Sequence, residues 1–382
     1  MPPTGISYGD AKSVLKGEDN HVVLSAGASC FAVFDGHGGT KACKHGVDAL
    51  APAILALGVN ASTNAIEDAF WEADAGLGGQ TTDGSTATIL LCDDDGAGGL
   101  SCVLMWVGDS VGCVADLAAE PAADCLHCTT RHSTEDAGEE KRLQITWQLS
   151  RALRLAAAES GGGRRNSDPL AKPTPAQVKE AATGQRIELS DAEAALLSRA
   201  IERGNRIDTM KFGEIDQSAA MTSILAPRVP GGKAVLHKVD KEGAKEVGAD
   251  GLAKALTSGD KVNSVSTAVT RAIGDWDGSR ALVPHPEVLR FTVAKDQCLR
   301  CVLASDGLWD FLTTAEACKV MRRGRSPQAC ADKLVEMAVN RSKAKYNGLK
   351  DDTTAVVIEL NPSGEPPPIA AGADGSACCV VS

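Results

Sequence analysis

Phe31-Ala32-Val33-Phe34-Asp35-Gly36-His37-Gly38-Gly39 is an apolar, β-forming run that stops at an acid, a histidine and three glycines. The pattern predicts a buried strand ending where something approaches the backbone. Gly36, Gly38 and Gly39 remove side chains from the turn, so the Asp35 carboxylate and the Gly36 carbonyl can face one small, highly charged object. A hard divalent cation fits that description best. Taken singly, the stretch also fits an ordinary glycine-rich strand-to-loop turn.

Two further strand ends repeat the pattern. Leu299-Arg300-Cys301-Val302-Leu303-Ala304 reads as a buried strand running into Ser305-Asp306-Gly307-Leu308-Trp309-Asp310, and a last strand, Thr353 to Leu360, follows Asp351-Asp352. If these strands are neighbours in one sheet or in facing sheets, Asp35, Asp306 and Asp351 lie close together, and uncompensated carboxylates so packed repel strongly. Cations are therefore expected. An all-oxygen donor set, without a histidine or cysteine cluster at metal-binding spacing, selects Mg²⁺ or Mn²⁺ over zinc or copper.

The composition narrows the classes. With 382 residues, 43% of them hydrophobic, the chain is long enough for an enzyme-sized core. A formal charge of -11 argues against nucleic acid or an anionic membrane surface as an electrostatic partner, and 3% aromatic residues leave few stacking platforms. Met1 to Asp10 is polar and no run approaches the length of a membrane span, so no cleavable leader and a soluble, cytoplasmic body are expected. The 13 cysteines fall mostly inside apolar runs and read as small core residues in a reducing compartment. The C-x-x-C pairs Cys125/Cys128 and Cys298/Cys301 lie beside strand-like runs, without the glycine-rich knuckles usual around structural zinc.

Along the chain, Lys16-Gly17-Glu18-Asp19-Asn20 pairs two acids beside a turn; alone it reads as solvated. Thr40 to Leu57 has helical spacing, and Ser62 opens a second helix with a capping-type start. Asp83 to Leu91 and Leu100 to Val107 are β-rich runs parted by Asp93-Asp94-Asp95-Gly96. Gly108-Asp109-Ser110 links the second to Val111 through Asp116, and strands joined that tightly are expected to form an antiparallel hairpin. From about residue 131 to 262 the texture loosens, apart from a capping box at Ser190-Asp191-Ala192-Glu193 ahead of an amphipathic helix reaching Arg203. Ser326-Pro327 starts a helix expected to run to about Arg341. Beyond Asn361 the Pro, Gly and Ala-rich chain reads as a flexible tail.

The chain resembles the metal-dependent serine/threonine phosphatases of type 2C, the PPM family. The segments that carry the resemblance, in the family's order, are Glu18-Asp19; Asp35 to Gly39; Gly84-Ser85-Thr86-Ala87; Val107-Gly108-Asp109-Ser110; Ala268 to Asp275; Ala304 to Asp310; and Asp351 to Val356. Each is weak alone; their shared order is highly specific. The resemblance covers about residues 7–360. It implies an α+β fold: two packed antiparallel β-sheets flanked by helices on both outer faces, an α-β-β-α sandwich, with the metals at one end. It makes residues 1–360 a phosphatase domain carrying an insertion within about 131–262, and 361–382 a tail. By motif position, Asp35 would bridge two Mn²⁺ or Mg²⁺ ions, Asp306 and Asp351 would complete the first, and the Gly36 carbonyl and Glu18 would serve the second. Asp19 would hold metal-bound water, and Asp109 and Asp310 match positions associated with a third, looser metal.

Water between two divalent cations loses its proton far more easily than bulk water, giving a hydroxide nucleophile at neutral pH, while the cations neutralise the phosphoryl oxygens. No protein nucleophile is needed. His37 is placed to protonate the departing serine or threonine oxygen, a role that typically contributes about 10² to 10⁴ in rate; its alternative is a structural histidine holding the loop. Two departures stand out. The family commonly carries a phosphate-gripping arginine five residues before the position of Asp19, and here that residue is Val14, so that Lys16 or Lys12 substitutes or phosphate binding is weakened. The insertion is also far longer than the family's usual segment, and gating, partner binding and no role all stay open for it.

The expected function is thus hydrolysis of phosphoserine and phosphothreonine in phosphoprotein substrates, by a monomer. The competing class is a pseudophosphatase, a scaffold that keeps the fold but not the turnover; a magnesium-dependent nuclease is disfavoured by the acidic surface. Cys379-Val380-Val381-Ser382 has the prenylation pattern, with serine favouring farnesyl. One lipid binds membranes only marginally, and no Lys or Arg follows Lys350, so Cys378 is the candidate for a second, acyl chain that would tether the enzyme to the cytosolic face of a membrane.

Overall fold

The structure, a computed structural model, describes residue 3 and residues 5–120, 122–159, 172–207, 222–227, 234–239, 264–267, 269–276 and 282–364. Strands β1 (Ile6–Ser13), β2 (Asn20–Ala26), β3 (Ala28–Phe34) and β4 (Gly36–His37) precede a helical run made of α1 (Lys41–His45), a π-turn at Gly46–Leu50 and α2 (Ala51–Leu57). Helix α3 (Thr63–Leu77) leads into β5 (Gly84–Ser85), β6 (Ala87–Asp94), β7 (Leu100–Val107), β8 (Val111–Asp116) and β9 (His127–Cys128). Next come α4 (Ala137–Glu159), α5 (Pro175–Gly184), α6 (Asp191–Ile207), β10 (Thr222–Pro227), β11 (Ala234–Val239) and β12 (Ser264–Thr267). The last elements are β13 (Ile273–Gly274), β14 (Glu287–Val293), β15 (Leu299–Ala304), α7 (Asp306–Trp309), α8 (Thr314–Arg323), α9 (Pro327–Tyr346) and β16 (Thr353–Leu360).

Two five-stranded antiparallel sheets, ordered β1-β16-β15-β8-β9 and β14-β7-β6-β3-β2, form the sandwich. Every residue of β3 is buried, as its apolar run Cys30 to Phe34 requires, because both of its faces are covered. The period of two sorts them. Phe31 and Val33 meet Leu303, Val356 and Ile358 of the opposite sheet, whereas Cys30, Ala32 and Phe34 meet Leu50, Ile54, Ile66 and Phe70 of the outer helices. On the other outer face, Val302, Ala355 and Val357 pack on Leu308, Met321 and Leu334 of α7, α8 and α9. This is the expected α-β-β-α arrangement.

The β6–β7 hairpin closes around Asp95, whose carboxylate accepts from the N–H groups of Ala97 (2.7 Å) and Gly99 (2.9 Å). The other tight link makes no hairpin. β7 and β8 belong to different sheets, and Gly108-Asp109-Ser110 carries the chain across the sandwich. β8 is apolar on both faces, with Val114 in the core between the sheets and Cys113 and Ala115 in the outer one, so it needs a central place; pairing with β15 supplies it.

The stretch read as loosely textured contains a long helix, α4, that the pattern did not announce. Its Leu149 and Leu153 join Val178 and Ala182 of α5 and Ala194, Leu197 and Ile201 of α6 in a separate small core. The Ser190 capping box forms as expected: Glu193 N–H donates to Ser190 Oγ (3.2 Å) and Ser190 N–H to Glu193 Oε2 (2.8 Å). The helix it starts runs to Ile207 instead of Arg203, and α9 runs to Tyr346, past Arg341, ending where Asn347 turns left-handed at φ 59. Among the described residues the cysteines are free thiols. Cys378, Cys379 and the rest of the prenylation pattern lie outside the described residues.

Candidate metal centre and active site

The sandwich brings its strand-end acids to one place because β3 and β15 belong to opposite sheets. Asp35 follows β3; Asp306 follows β15 as the first residue of α7, and its backbone N–H donates to Asp35 Oδ2 at 3.2 Å. Asp35 is fixed from behind by Thr86, whose N–H donates to the Asp35 carbonyl (2.9 Å) and whose Oγ1 accepts the Asp35 N–H (3.2 Å). Thr86 Oγ1 also lies 2.7 Å from Ser110 Oγ, which ties the Asp109 link to the same wall. Asp19 is buried beneath, its Oδ2 accepting from Ser305 Oγ at 2.7 Å. Gly36 packs so closely on the Glu18 carbonyl that a Cβ there would come within 2.6 Å of it.

Asp351 and Asp352 divide the work before β16. Asp351 pairs with Lys16 Nζ at 2.9 Å, and Lys16 also reaches Glu18 at 3.9 Å. Asp352 was not among the expected site residues. Its carboxylate accepts the N–H groups of Leu15 (2.5 Å), Lys16 (2.7 Å), Glu18 (2.7 Å) and Asp19 (3.3 Å), and so holds the loop that presents Glu18. Against the cost of its burial, these four donors keep Asp352 below the usual carboxylate range. Its place beside Asp351 in the motif was the only sequence signal.

Asp310 ends α7, its N–H on the Asp306 carbonyl at 2.8 Å, and pairs with Lys350, while Arg131 Nη1 stands 3.9 Å from its carboxylate. Neither cation was expected as part of the site: Arg131 comes from a separate loop, and Lys350, though next to Asp351, lies 40 positions from the Asp310 it meets. Lys12, considered as a substitute for the arginine absent at Val14, has its Nζ on the Asp19 carbonyl at 2.5 Å. Val14 is itself exposed. His37, on β4, pairs with Gly84 of β5, and its Nε2 lies 2.8 Å from Asp275 Oδ2. Gly84 makes room for that pair: a Cβ there would stand 2.2 Å from His37 Nε2.

The electrostatics follow from packing acids together. Burial first, and then the charges of Asp306, Asp19 and Asp109, push Asp35 well above the ordinary carboxylate range. Asp306 is pushed up to about 7, by burial and by Asp109, Asp310 and Asp351. Burial also raises Asp19 and Asp109. Burial opposes the Lys16 charge, yet Asp351, Glu18 and Asp306 together hold its ammonium above its usual value. Among the described residues no three His, Cys, Asp or Glu side chains stand as a finished metal cage. The chemistry of the donors nevertheless fits hard divalent cations: a largely half-buried, all-oxygen, mutually repelling set with a backbone carbonyl beside it is what Mg²⁺ or Mn²⁺ relieves.

A family model described as protein phosphatase 2C matches residues 249–345. The chain is 42% identical over 96 residues to the probable protein phosphatase 2C 5 of Arabidopsis thaliana, across 25% of this chain and 21% of that protein. It is 33% identical over 151 residues to protein phosphatase 2C 50 of Oryza sativa subsp. japonica, across 33% of this chain and 37% of that one. The matches thus span little more than a third of these curated relatives at most. Among solved structures, serine-threonine phosphatase 2C from Toxoplasma gondii superposes with a TM-score of 0.57 at 15% identity, covering 94% of this chain and 96% of that one. A C. elegans sex determining protein gives 0.53 at 16% identity, covering 94% and 66%. The sandwich is that of the type 2C phosphatases, the family to which the motifs pointed. Among the described residues no helix is long and apolar enough to cross a membrane.

Proposed function

We propose that this chain, whose fold and motifs are those of the type 2C phosphatases, hydrolyses phosphoserine and phosphothreonine esters in proteins with Mn²⁺ or Mg²⁺ as cofactor. The observation that carries the proposal is the contact across the sandwich in which Asp306 N–H meets Asp35 Oδ2, inside a group of acids held above their ordinary range. Asp35, the Gly36 carbonyl, Glu18, Asp306 and Asp351 would hold two ions, Asp19 would orient water, and Asp109 and Asp310 would serve a third. When bound, such ions supply a nucleophile from water at neutral pH and neutralise the phosphoryl oxygens.

The chain's own residues do the rest. Water oxygen bonds to phosphorus as the bond from phosphorus to the serine or threonine oxygen breaks. That oxygen leaves with the electron pair and takes a proton from His37, and the proton lost by water restores the balance, giving the alcohol and inorganic phosphate. The His37 imidazole, held at Nε2 by Asp275, is the proposed donor. Lys16 and Arg131, the cations beside Asp351 and Asp310, would take over phosphate binding from the arginine missing at Val14.

The test is hydrolysis of a phosphoserine peptide with added Mn²⁺, abolished by EDTA and lost in Asp35→Asn and Asp306→Asn with folding retained. Arg131→Ala should raise KM more than it lowers kcat. Full activity in both aspartate variants refutes the metal assignment, and a folded, Mn²⁺-binding wild type without turnover makes the chain a scaffold. Membrane tethering through farnesylated Cys379 and acylated Cys378 is proposed from the Cys-aliphatic-aliphatic-Ser spacing alone. Mass spectrometry of the native C-terminal peptide tests it, and free Cys379 with Val380 to Ser382 intact refutes it.

A further inference from the structure

Helix α6 belongs to the insertion, yet one of its side chains is buried in the catalytic half of the molecule. Arg203 is only 3% exposed. Its guanidinium grips Asp74 of α3 bidentately through one edge, Nε to Oδ2 at 2.9 Å and Nη2 to Oδ1 at 3.0 Å, and lies over the Trp276 ring, 4.5 Å from its centroid. The remaining donors go to the main chain: Nη1 to the Leu282 carbonyl (3.3 Å) and Nη2 to the Gly274 carbonyl. Asp74 meets the same segment from its other side. Its Oδ1 accepts the Gly274 N–H at 2.8 Å, and its backbone carbonyl accepts Trp276 Nε1 at 2.8 Å.

The residue fixed between those contacts is Asp275. The peptide unit joining Gly274 to Asp275 is held at its carbonyl by Arg203 and at its N–H by the Asp83 carbonyl (2.9 Å). Asp275 takes a φ of 54, uncommon for a residue with a side chain and maintained only where the surroundings over-determine it. From there its carboxylate reaches His37 Nε2 at 2.8 Å. Every link from the inserted helix to the imidazole is thus a direct polar contact between groups fixed by packing.

We infer that Arg203, supplied by the insertion, is a positioning residue for His37: by fixing the Gly274–Asp275 peptide directly and through Asp74, it sets the place of the carboxylate that orients the imidazole. This rests on the reading of His37 as general acid. Arg199, one turn earlier on α6, provides an internal control. It pairs with Asp68 at 2.8 Å and covers the Trp71 ring at 4.5 Å, so it docks the same helix on α3 through residues separate from the Gly274–Trp276 segment.

The experiment compares kcat and KM on a phosphoserine peptide, whose leaving group needs a proton, and on p-nitrophenyl phosphate, whose leaving group scarcely does, at saturating Mn²⁺. The full-length variants are His37→Gln, Arg203→Lys, Asp74→Asn and Arg199→Ala. A displacement of about 1 Å is worth about 10²-fold. Arg203→Lys and Asp74→Asn should therefore lose about 10- to 100-fold in kcat on the peptide and under about 3-fold on the aryl ester. Calorimetric Mn²⁺ affinity should be unchanged, and Arg199→Ala should show neither loss. Adding Arg203→Lys to His37→Gln should cost the peptide reaction nothing further. Equal losses on both substrates, or weakened Mn²⁺ binding, would make Arg203 a structural residue and overturn the inference. If His37→Gln shows the leaving-group preference while folded Arg203→Lys and Asp74→Asn do not, the coupling alone fails. If His37→Gln lacks the preference, the general-acid reading falls and the coupling with it.

Discussion

Replacing Asp306 by Asn should stabilise the metal-free protein by an amount that grows with pH. Asp306 titrates at about 7 in the folded chain, held up by burial and by Asp109, Asp310 and Asp351. An unfolded aspartate titrates at about 3.9. Between those values the folded state keeps a proton that the unfolded state has lost, so rising pH costs stability. The slope is about 1.4 kcal/mol per pH unit, and across roughly three units the penalty reaches about 4 kcal/mol, which Asn does not incur. The wild-type profile alone is a poor readout. His285, pushed down to about 4 by burial first and then by neighbouring arginines, is neutral in the folded state while the unfolded state is protonated, and gains stability as pH rises through much of the same window. Its effect cancels in the difference between variant and wild type. The assay is a set of urea melts in excess EDTA from pH 4 to 8. The difference should climb from near zero at about pH 4 to about 4 kcal/mol by about pH 7 and then level. Mn²⁺ should narrow it, because a ligand at 100 times Kd stabilises the wild type by about 2.7 kcal/mol and the variant less. A pH-independent difference, or equal stabilisation of both proteins by Mn²⁺, would refute the crowded-carboxylate account of this site.

Asp352→Ala removes the acceptor of four loop N–H groups. It should cost about 2 to 4 kcal/mol in urea melts and weaken Mn²⁺ binding by releasing Glu18, whereas unchanged calorimetric affinity would mean that the loop holds itself. Gly84→Ala puts a methyl group where His37 and Asp275 meet, 2.2 Å from Nε2. It should lower phosphoserine turnover by about 10² or more while sparing aryl phosphate, and a wild-type ratio of the two rates would show the pair to be dispensable.

The sandwich was legible through short motifs whose order resembles that of the type 2C phosphatases. The apolar stretches Cys30 to Phe34, Cys301 to Ala304 and Ala355 to Ile358 require burial on both faces and so mark three inner strands, while leaving their pairing open. The acids at those strand ends announced a site for the same reason: carboxylates adjoining buried strands need a compensating charge. What the sequence left undecided depended on partners far along the chain. The link at Gly108-Asp109-Ser110 looks like a hairpin turn until β8 finds β15, a pairing that only the assembled sheet selects. Helix α4 was hidden because the residues that bury it come from α5 and α6, beyond any local periodicity. Asp352 reads as a second copy of Asp351, and their opposite roles appear only when four N–H groups of residues 15–19 close on one of them. Arg203 and Asp74, separated by 129 positions, carry no signal of each other in the chain. Two charges can be buried there only as a pair, and that pair exists only once α6 has packed against α3.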